Sequence, residues 1–200
     1  MTRYRILYLI LISLLAGLLG GCIGAVATGT AVGISVVHDR RTAGTVLDDE
    51  GVELKALQFL FQDKELRDQT HINVTSYNLQ VLVTGEAPTR ELMDRIIDLV
   101  RRIPKVRKVY NEIALAAPSA LVSRSSDTLL TAKVKTRLFK IKDFDATRVK
   151  VVTERGVVYL MGLVTAQEAN AATEAARQVG GVLKVVKLFE TVAPVASQNQ

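Results

Sequence analysis

The residue types that most often perform catalysis or bind metals are scarce in this chain of 200 residues, which has one cysteine and two histidines. With Cys22 alone, an internal disulfide is impossible and sites built from several thiolates are excluded. His38 and His71 occur in no His-Glu-x-x-His pattern, so a metal site on either would need carboxylates from distant parts of the sequence. The chain also lacks a Gly-x-Ser-x-Gly motif and a Gly-rich phosphate loop. We therefore expect no catalytic residues, no cofactor and no metal site, and we place both histidines at the surface or at the end of an element.

The N-terminal segment predicts export. Two arginines precede an apolar run at residues 6–16 that is followed by small residues, which is the order typical of a secretory signal. Leu19-Gly20-Gly21-Cys22 resembles the lipobox of bacterial lipoproteins, and a retained membrane anchor is the alternative. The resemblance implies a signal peptide at residues 1–21, lipidation of Cys22, and more than one acyl chain, as stable anchoring requires. Ile23 stands where an aspartate would imply inner-membrane retention, so the implied location is the outer membrane, facing the periplasm.

The rest of the chain contains one unit twice. At a spacing of 77 residues, Ile72-Asn73-Val74 aligns with Val149-Lys150-Val151. The same spacing aligns residues 81–85 with residues 158–162. It also aligns Leu57 with Val134 and Phe61 with Leu138, which predicts that the members of each pair occupy corresponding positions on two helices.

Each copy has the pattern of an amphipathic helix, two short strands joined by a tight turn, a second amphipathic helix and a last strand. Asp127 is the predicted N-cap of the first helix in the second copy, and Thr165 with Glu168 has capping-box spacing at the second helix. A three-stranded mixed sheet buries one face under two helices. The predicted fold class is therefore α+β, with two tandem domains that are each an α-β-β-α-β two-layer sandwich.

Composition shifts give the domain boundaries. Residues 22–45 are the predicted lipidated tether, followed by a first domain at residues 46–117. The nine residues of 118–126 form the predicted linker, and the second domain covers residues 127–195. Both domains are small for an independent core, so packing of the two copies against each other is plausible.

Positive charge is concentrated in the second copy. Residues 38–117 contain 12 basic and 13 acidic residues, whereas residues 127–195 contain 11 basic and 7 acidic residues. On the helix predicted to start at Asp127, a step of about 100° per residue places five side chains in one sector away from the core side: Leu129, Lys133, Thr136, Arg137 and Lys140. Cations beside an exposed apolar side chain are what a helix lying on an anionic bilayer needs. An ordinary solvated face is the alternative interpretation.

The repeat with its signal and cysteine resembles a known family, the dual BON-domain outer-membrane lipoproteins. The stretches that carry the resemblance are Asp39–Thr45, Ile72–Thr75, Val109–Ile113, Ser126–Thr128 and Tyr159–Thr165. The resemblance implies a non-enzymatic periplasmic protein that supports cell-envelope integrity. It also implies that the second BON domain binds anionic phospholipid, phosphatidylglycerol or cardiolipin, and directs the protein to the division site.

Other functions stay open at this point. In the main alternative the protein is a protein-protein adaptor or chaperone-like factor, with envelope-assembly or cell-wall proteins of the periplasm as partners and the basic helix docking one of them. Small-ligand or ion binding, which occurs in some BON-containing proteins, is a third possibility. Nucleic acid is not an expected partner, because the basic run at residues 101–108 lacks interleaved aromatic residues.

Overall fold

The computed structural model of the protein describes residues 39–118 and 121–193, with side chains from residue 124 onward in the second range. These residues belong to one compact unit of the chain, His38–Gln200. Among the helices described, none is long and apolar enough to cross a membrane.

The first domain consists of three helices and a three-stranded sheet. Its elements are α1 (Ala43–Gln62), α2 (Lys64–Gln69), β1 (His71–Tyr77), β2 (Gln80–Ala87), α3 (Arg90–Arg101) and β3 (Lys108–Leu115). The short helix α2 is an addition to the predicted order. It exists because Asp63 ends α1 and caps α2, its carboxylate accepting hydrogen bonds from the backbone N–H groups of Glu65 and Leu66.

The second domain repeats this order. Its elements are α4 (Leu121–Leu138), a 3₁₀ turn (Ala146–Arg148), β4 (Val149–Glu154), β5 (Val157–Val164), α5 (Ala166–Arg177) and β6 (Lys184–Thr191). Helix α5 begins with the predicted capping box, in which Thr165 and Glu168 each accept from the other's backbone N–H.

Both sheets are mixed, as predicted, with β2 and β5 in the centre. Strand β1 is antiparallel and β3 parallel to β2, and β4 and β6 are arranged in the same way around β5. Gly85 pairs with Ile72 and Gly162 pairs with Val149. A Cβ at Gly85 would lie 1.9 Å from the carbonyl oxygen of His71, so only glycine fits there. The structure confirms the α+β class and the α-β-β-α-β order of each domain.

The first helices correspond at a spacing of 78 residues, one more than the repeat of the strands. The buried residues of the first helix in the first domain are Val52, Ala56 and Leu60. They correspond to the buried residues Leu130, Val134 and Leu138 of the second domain. Leu57 and Phe61, which the spacing of 77 set on Val134 and Leu138, are 49% and 59% exposed. That alignment of the helices was wrong, because the connection from helix to hairpin differs by one residue between the copies.

Helix α4 also begins earlier than predicted, at Leu121, so residues 121–126 of the predicted linker are helical. Asp127 is therefore not an N-cap. Asp127 is an interior residue of the helix. Its buried carboxylate accepts hydrogen bonds from the backbone N–H groups of Arg155 and Gly156, over 2.7 and 2.9 Å. Both of these turn residues have positive φ, the conformation that a two-residue hairpin turn requires.

Asp49 performs the same task in the first domain. Its carboxylate accepts from the backbone N–H groups of Asn78 and Leu79 and from the hydroxyl of Ser76. Each domain thus fastens its hairpin to its first helix through one buried aspartate, which fixes where the helix lies on the sheet.

The two sheets pack against each other through the faces that their own helices leave uncovered. Alternate residues of a strand point to opposite faces, and those of β2 divide accordingly: Val81 and Val83 lie in the first core, whereas Leu82 lies in a cluster that joins both sheets. The buried members of this interdomain cluster are Tyr77, Leu82, Tyr159, Met161 and Leu188. Every residue of β2 is buried as a result. The layers run helices, sheet, sheet, helices.

Candidate membrane-binding surface

The five side chains predicted to contact lipid lie together on the outward side of α4, four on the helix and Lys140 in the turn that follows its end at Leu138. Leu129 is 64% exposed, and Lys133, Thr136, Arg137 and Lys140 are exposed as well. The opposite side of the helix is buried, because Leu130, Val134 and Leu138 belong to the core side. We call this set of five residues the α4 face.

The α4 face borders a shallow groove of about 450 Å³ between α4 and the end of α5. Arg137 donates a hydrogen bond to the side-chain oxygen of Gln178, over 2.8 Å, which joins the two helices. Among the described residues, no carboxylate forms an ion pair with Lys133, Arg137 or Lys140. Their positive charges are therefore available to phosphate groups.

Two surface features of the second domain were not predicted from the sequence. Gln178 and Val179, which line the groove, follow the end of α5 at Arg177. Leu183 is 80% exposed, and its N–H donates to the carbonyl of Gly156, in the turn that Asp127 holds. Val182 and Leu183 lie between Gly180-Gly181 and β6, and this apolar pair after two glycines was the available signal.

Cys22 and His38 lie outside the described residues. The structure therefore leaves the predicted lipidation of Cys22 as a prediction.

Residues 39–41, which belong to the predicted tether, bind both domains, and we call them the N-terminal clasp. Arg40 donates to both carboxylate oxygens of Glu168, over 2.6 and 3.1 Å, and to the carbonyl of Leu163. Arg148 donates to the same carboxylate over 3.0 Å. Burial alone would raise the pKa of Glu168, but hydrogen bonds from Arg40, the Thr165 backbone and Arg148 lower it to about 2.

The second arginine of the clasp contacts the first domain. Arg41 donates to Asp39 and to Asp49, and its guanidinium lies 4.0 Å from the centre of the Tyr77 ring. Burial and the charge of Asp39 raise the pKa of Tyr77 to about 12. Its hydroxyl donates to the carbonyl of Arg148 in the second domain, over 3.3 Å. The clasp thus ends beside the interdomain cluster.

Polar contacts surround that cluster. Asn78 donates to Glu190 over 2.6 Å, and Tyr159 donates to Glu112 over 3.3 Å. At another edge, Asn73 donates to Glu154 over 3.2 Å. Burial raises the pKa of Glu154 above its usual range, and the charge of Glu86 raises it further, against the lowering effect of the Asn73 hydrogen bond.

A second apolar surface lies on α1. Its four exposed side chains follow one side of the helix: Leu47, Leu54, Leu57 and Phe61. A groove of about 370 Å³ runs beside them and is lined by Leu54 and Leu57 and by the carboxylates of Glu50 and Glu53. We call these four residues the α1 stripe. Contiguous exposed apolar side chains of this kind are typical of an interaction surface.

Comparison with known proteins gives the same two units. A family model described as BON domain matches residues 48–117 and again residues 126–193. The outer membrane lipoprotein DolP of Haemophilus influenzae is 38% identical over 160 residues, which cover 80% of this chain and 83% of that protein.

Two further relatives extend over similar lengths. The 21 kDa hemolysin of Actinobacillus pleuropneumoniae is 38% identical over 154 residues, covering 77% of this chain and 79% of that protein. The osmotically-inducible protein Y of Escherichia coli is 24% identical over 164 residues, covering 80% of this chain and 81% of that protein.

Proposed function

Because the chain belongs to the BON-domain family and carries two BON domains, we propose that it is a lipid-anchored outer-membrane lipoprotein whose second domain binds anionic phospholipid. In this proposal it faces the periplasm, supports envelope integrity and performs no catalysis. Its similarity to the outer membrane lipoprotein DolP supports the location. The observation that carries the lipid interaction is the α4 face, where three cations without carboxylate partners among the described residues accompany an exposed leucine.

The proposed mechanism is attachment at two points. Each of Lys133, Arg137 and Lys140 contributes about 1 kcal/mol near an anionic surface, and full burial of Leu129 contributes roughly 1.5–3 kcal/mol. This sum gives weak binding for an isolated domain. The acyl anchor at Cys22 makes it sufficient, because it confines the domain near lipid and raises the effective concentration.

The clasp supports this mechanism by limiting how far the domains move from the anchor. The chain between Cys22 and Asp39 reaches at most about 60 Å when fully extended. From Asp39 onward, Arg40 and Arg41 join the chain to both domains. The α4 face therefore stays within reach of the membrane that holds the acyl chains.

The experiment is co-sedimentation of the mature chain carrying Cys22→Ser, which has no acyl chain, with vesicles. Binding is expected to vesicles that contain phosphatidylglycerol or cardiolipin and not to pure phosphatidylcholine, and it is expected to weaken at high salt. The double variant Leu129→Glu, Lys133→Glu is expected to bind at least about tenfold more weakly. Its matched control is Lys135→Glu, Phe139→Glu, which makes the same kind of change at exposed positions away from the α4 face, Lys135 on α4 and Phe139 directly after it.

Unchanged co-sedimentation of the folded Leu129→Glu, Lys133→Glu variant would contradict the proposal. An equal loss of vesicle binding in the control variant would also contradict the proposal, because binding would then depend on net charge and not on the α4 face. In dividing cells, a fluorescent fusion is expected to accumulate at the division site and to lose this position in the same double variant.

The α1 stripe favours a second candidate function, that of an adaptor for periplasmic proteins of envelope assembly or cell-wall remodelling. Four exposed apolar side chains offer a partner helix the burial that protein interfaces use. In this case Leu57→Ser, Phe61→Ser leaves vesicle binding intact but increases the sensitivity of cells to detergents. If lipid binding is the whole function, the stripe variant behaves as wild type in cells.

A further inference from the structure

Three side chains that are far apart in the sequence meet at the contact between the two domains. His71 begins β1 and Glu86 lies near the end of β2, where the two residues are paired across the hairpin. Glu154 ends β4 in the second domain. One ligand atom from each residue lies within 4.8 Å of the others, and the Nδ1 atom of His71 is 3.2 Å from Oε2 of Glu86.

Glu86 is the least satisfied member of this cluster. Its side chain is 1% exposed, and its Oε1 atom has no hydrogen-bond partner in the part of the chain that the structure describes. Leaving a buried carboxylate oxygen without a partner is costly, and a second carboxylate nearby adds repulsion. Glu154 is also buried, and the hydrogen bond it accepts comes from the neutral amide of Asn73. A cation between the three side chains would compensate both carboxylates.

We propose that His71, Glu86 and Glu154 bind a divalent transition-metal ion, for which Zn²⁺ is the best fit. An imidazole nitrogen with two carboxylate oxygens is a donor set that zinc accepts, whereas Ca²⁺ and Mg²⁺ prefer oxygen ligands alone. Tetrahedral zinc at its usual bond lengths holds its ligand atoms about 3.4 Å apart. The ligand atoms lie within 4.8 Å of one another, so binding would require rotation of the glutamate side chains to bring them closer. The fourth position is left to water.

An ion has a route to this site. A cavity of about 250 Å³ is lined by His71, Asn73 and Glu154, and on the α4 side by Asp127 and Arg124. This lining carries two carboxylates, those of Asp127 and Glu154, and one arginine, so its charge favours the entry of a cation. Glu86 lies behind His71 and completes the site from the buried side.

Metal binding at this place would join the domains. Two ligands come from the first domain and one from the second, so the ion bridges the sheet-to-sheet contact. An ion that binds only the assembled pair stabilises that pair in proportion to its occupancy. The proposal is independent of lipid binding, since none of its ligands lies on the α4 face.

The test is a calorimetric titration of the metal-stripped mature chain carrying Cys22→Ser, which removes the free thiol as a competing ligand. We expect one Zn²⁺ per chain, no heat with Mg²⁺, and a visible absorption band when Co²⁺ replaces Zn²⁺. His71→Ala and Glu154→Gln are each expected to weaken binding at least about tenfold. The controls are Glu112→Gln, a carboxylate at the same domain contact that bonds Tyr159, and His38→Ala.

Because a buried substitution can unfold a domain, each variant is first compared with wild type by its thermal transition without metal. Wild type alone also tests the proposal, since Zn²⁺ is expected to raise its melting temperature and Glu86→Gln to abolish that rise. Absence of a stoichiometric site in wild type would overturn the proposal. Equal binding by wild type and by the His71→Ala and Glu154→Gln variants would overturn it too, because the ion would then be an adventitious ion only.

Discussion

The guanidinium of Arg40 donates to both carboxylate oxygens of Glu168, over 2.6 and 3.1 Å, although Arg40 precedes the first domain and Glu168 belongs to the second. Arg40 lies three residues before the first helix of the first domain, which begins at Ala43, and Glu168 belongs to the capping box of α5 in the second. One ion pair therefore ties the end of the predicted tether to the far domain. Arg41 ties it to the near domain through Asp49.

Acid sensitivity is the first expected consequence of the Arg40–Glu168 pair. The pKa of Glu168 is about 2 in the folded protein, below the ordinary value of 4.5. The pair therefore stabilises the protein fully above about pH 5, and its contribution falls as pH drops towards 2. Glu168→Gln is expected to lower the free energy of unfolding at pH 7 by on the order of 1–2 kcal/mol after screening. At pH 3 the difference from wild type shrinks.

Urea unfolding at the two pH values measures this difference. Glu174→Gln on the same helix is the control, because Glu174 is exposed and pairs only weakly with Arg177. A Glu168→Gln variant as stable as wild type at pH 7 would show that the clasp does not stabilise the fold.

The sheet-to-sheet contact is expected to contribute strongly to stability. Leu82→Ala removes a fully buried side chain from the interdomain cluster, and such truncations cost about 2–5 kcal/mol. Leu47→Ala, on the exposed α1 stripe, is expected to change stability by less than about 0.5 kcal/mol. Calorimetry should show one transition for wild type. Two separate transitions, with Leu82→Ala changing neither, would mean that the domains do not depend on this contact.

The aspartates that hold the hairpins are expected to contribute more to the stability of the fold than neighbouring acidic residues do. Asp49→Ala removes the acceptor of four hydrogen bonds and leaves Arg41 without one partner, which is expected to cost at least about 3 kcal/mol. Asp48→Ala, one residue away, breaks a largely solvated pair with Lys105 and is expected to cost within about 1 kcal/mol. Thermal unfolding of the two variants provides the comparison. Equal melting temperatures would contradict the role given to Asp49.

Periodicity was sufficient to predict the repeat, the mixed sheets and the α-β-β-α-β order, because strands and helices impose different spacings on apolar residues. It failed at the first helices. Leu57 and Phe61 are spaced as residues of a buried helix side are, and so are Val52, Ala56 and Leu60. The hydrogen bonds between Asp49 and the hairpin hold the second of these sides against the sheet. The start of α4 was missed since Ser123-Arg124-Ser125-Ser126 has the composition of a linker.

The α4 face could be found from the sequence because four of its residues lie on one helix, where spacing determines direction, and Lys140 follows directly after it. The clasp and the His71 cluster could not, because each depends on contacts between residues that are far apart in the sequence and meet only in the folded protein. The sequence gives no spacing rule for such contacts. A partial signal was present in β2, where apolar side chains point to both faces and indicate a strand that is covered twice.

The most direct test of membrane binding through α4 is the fluorescence of an environment-sensitive label at residue 129. The Cys22→Ser background contains no other thiol, so Leu129→Cys places one label on the α4 face, and Phe139→Cys places one directly after the helix and away from that face. On addition of phosphatidylglycerol and cardiolipin vesicles, the label at 129 is expected to brighten and shift to the blue, whereas the label at 139 stays unchanged. Phosphatidylcholine vesicles should change neither. An unchanged spectrum at 129, or equal shifts at both positions, would contradict lipid binding by the α4 face.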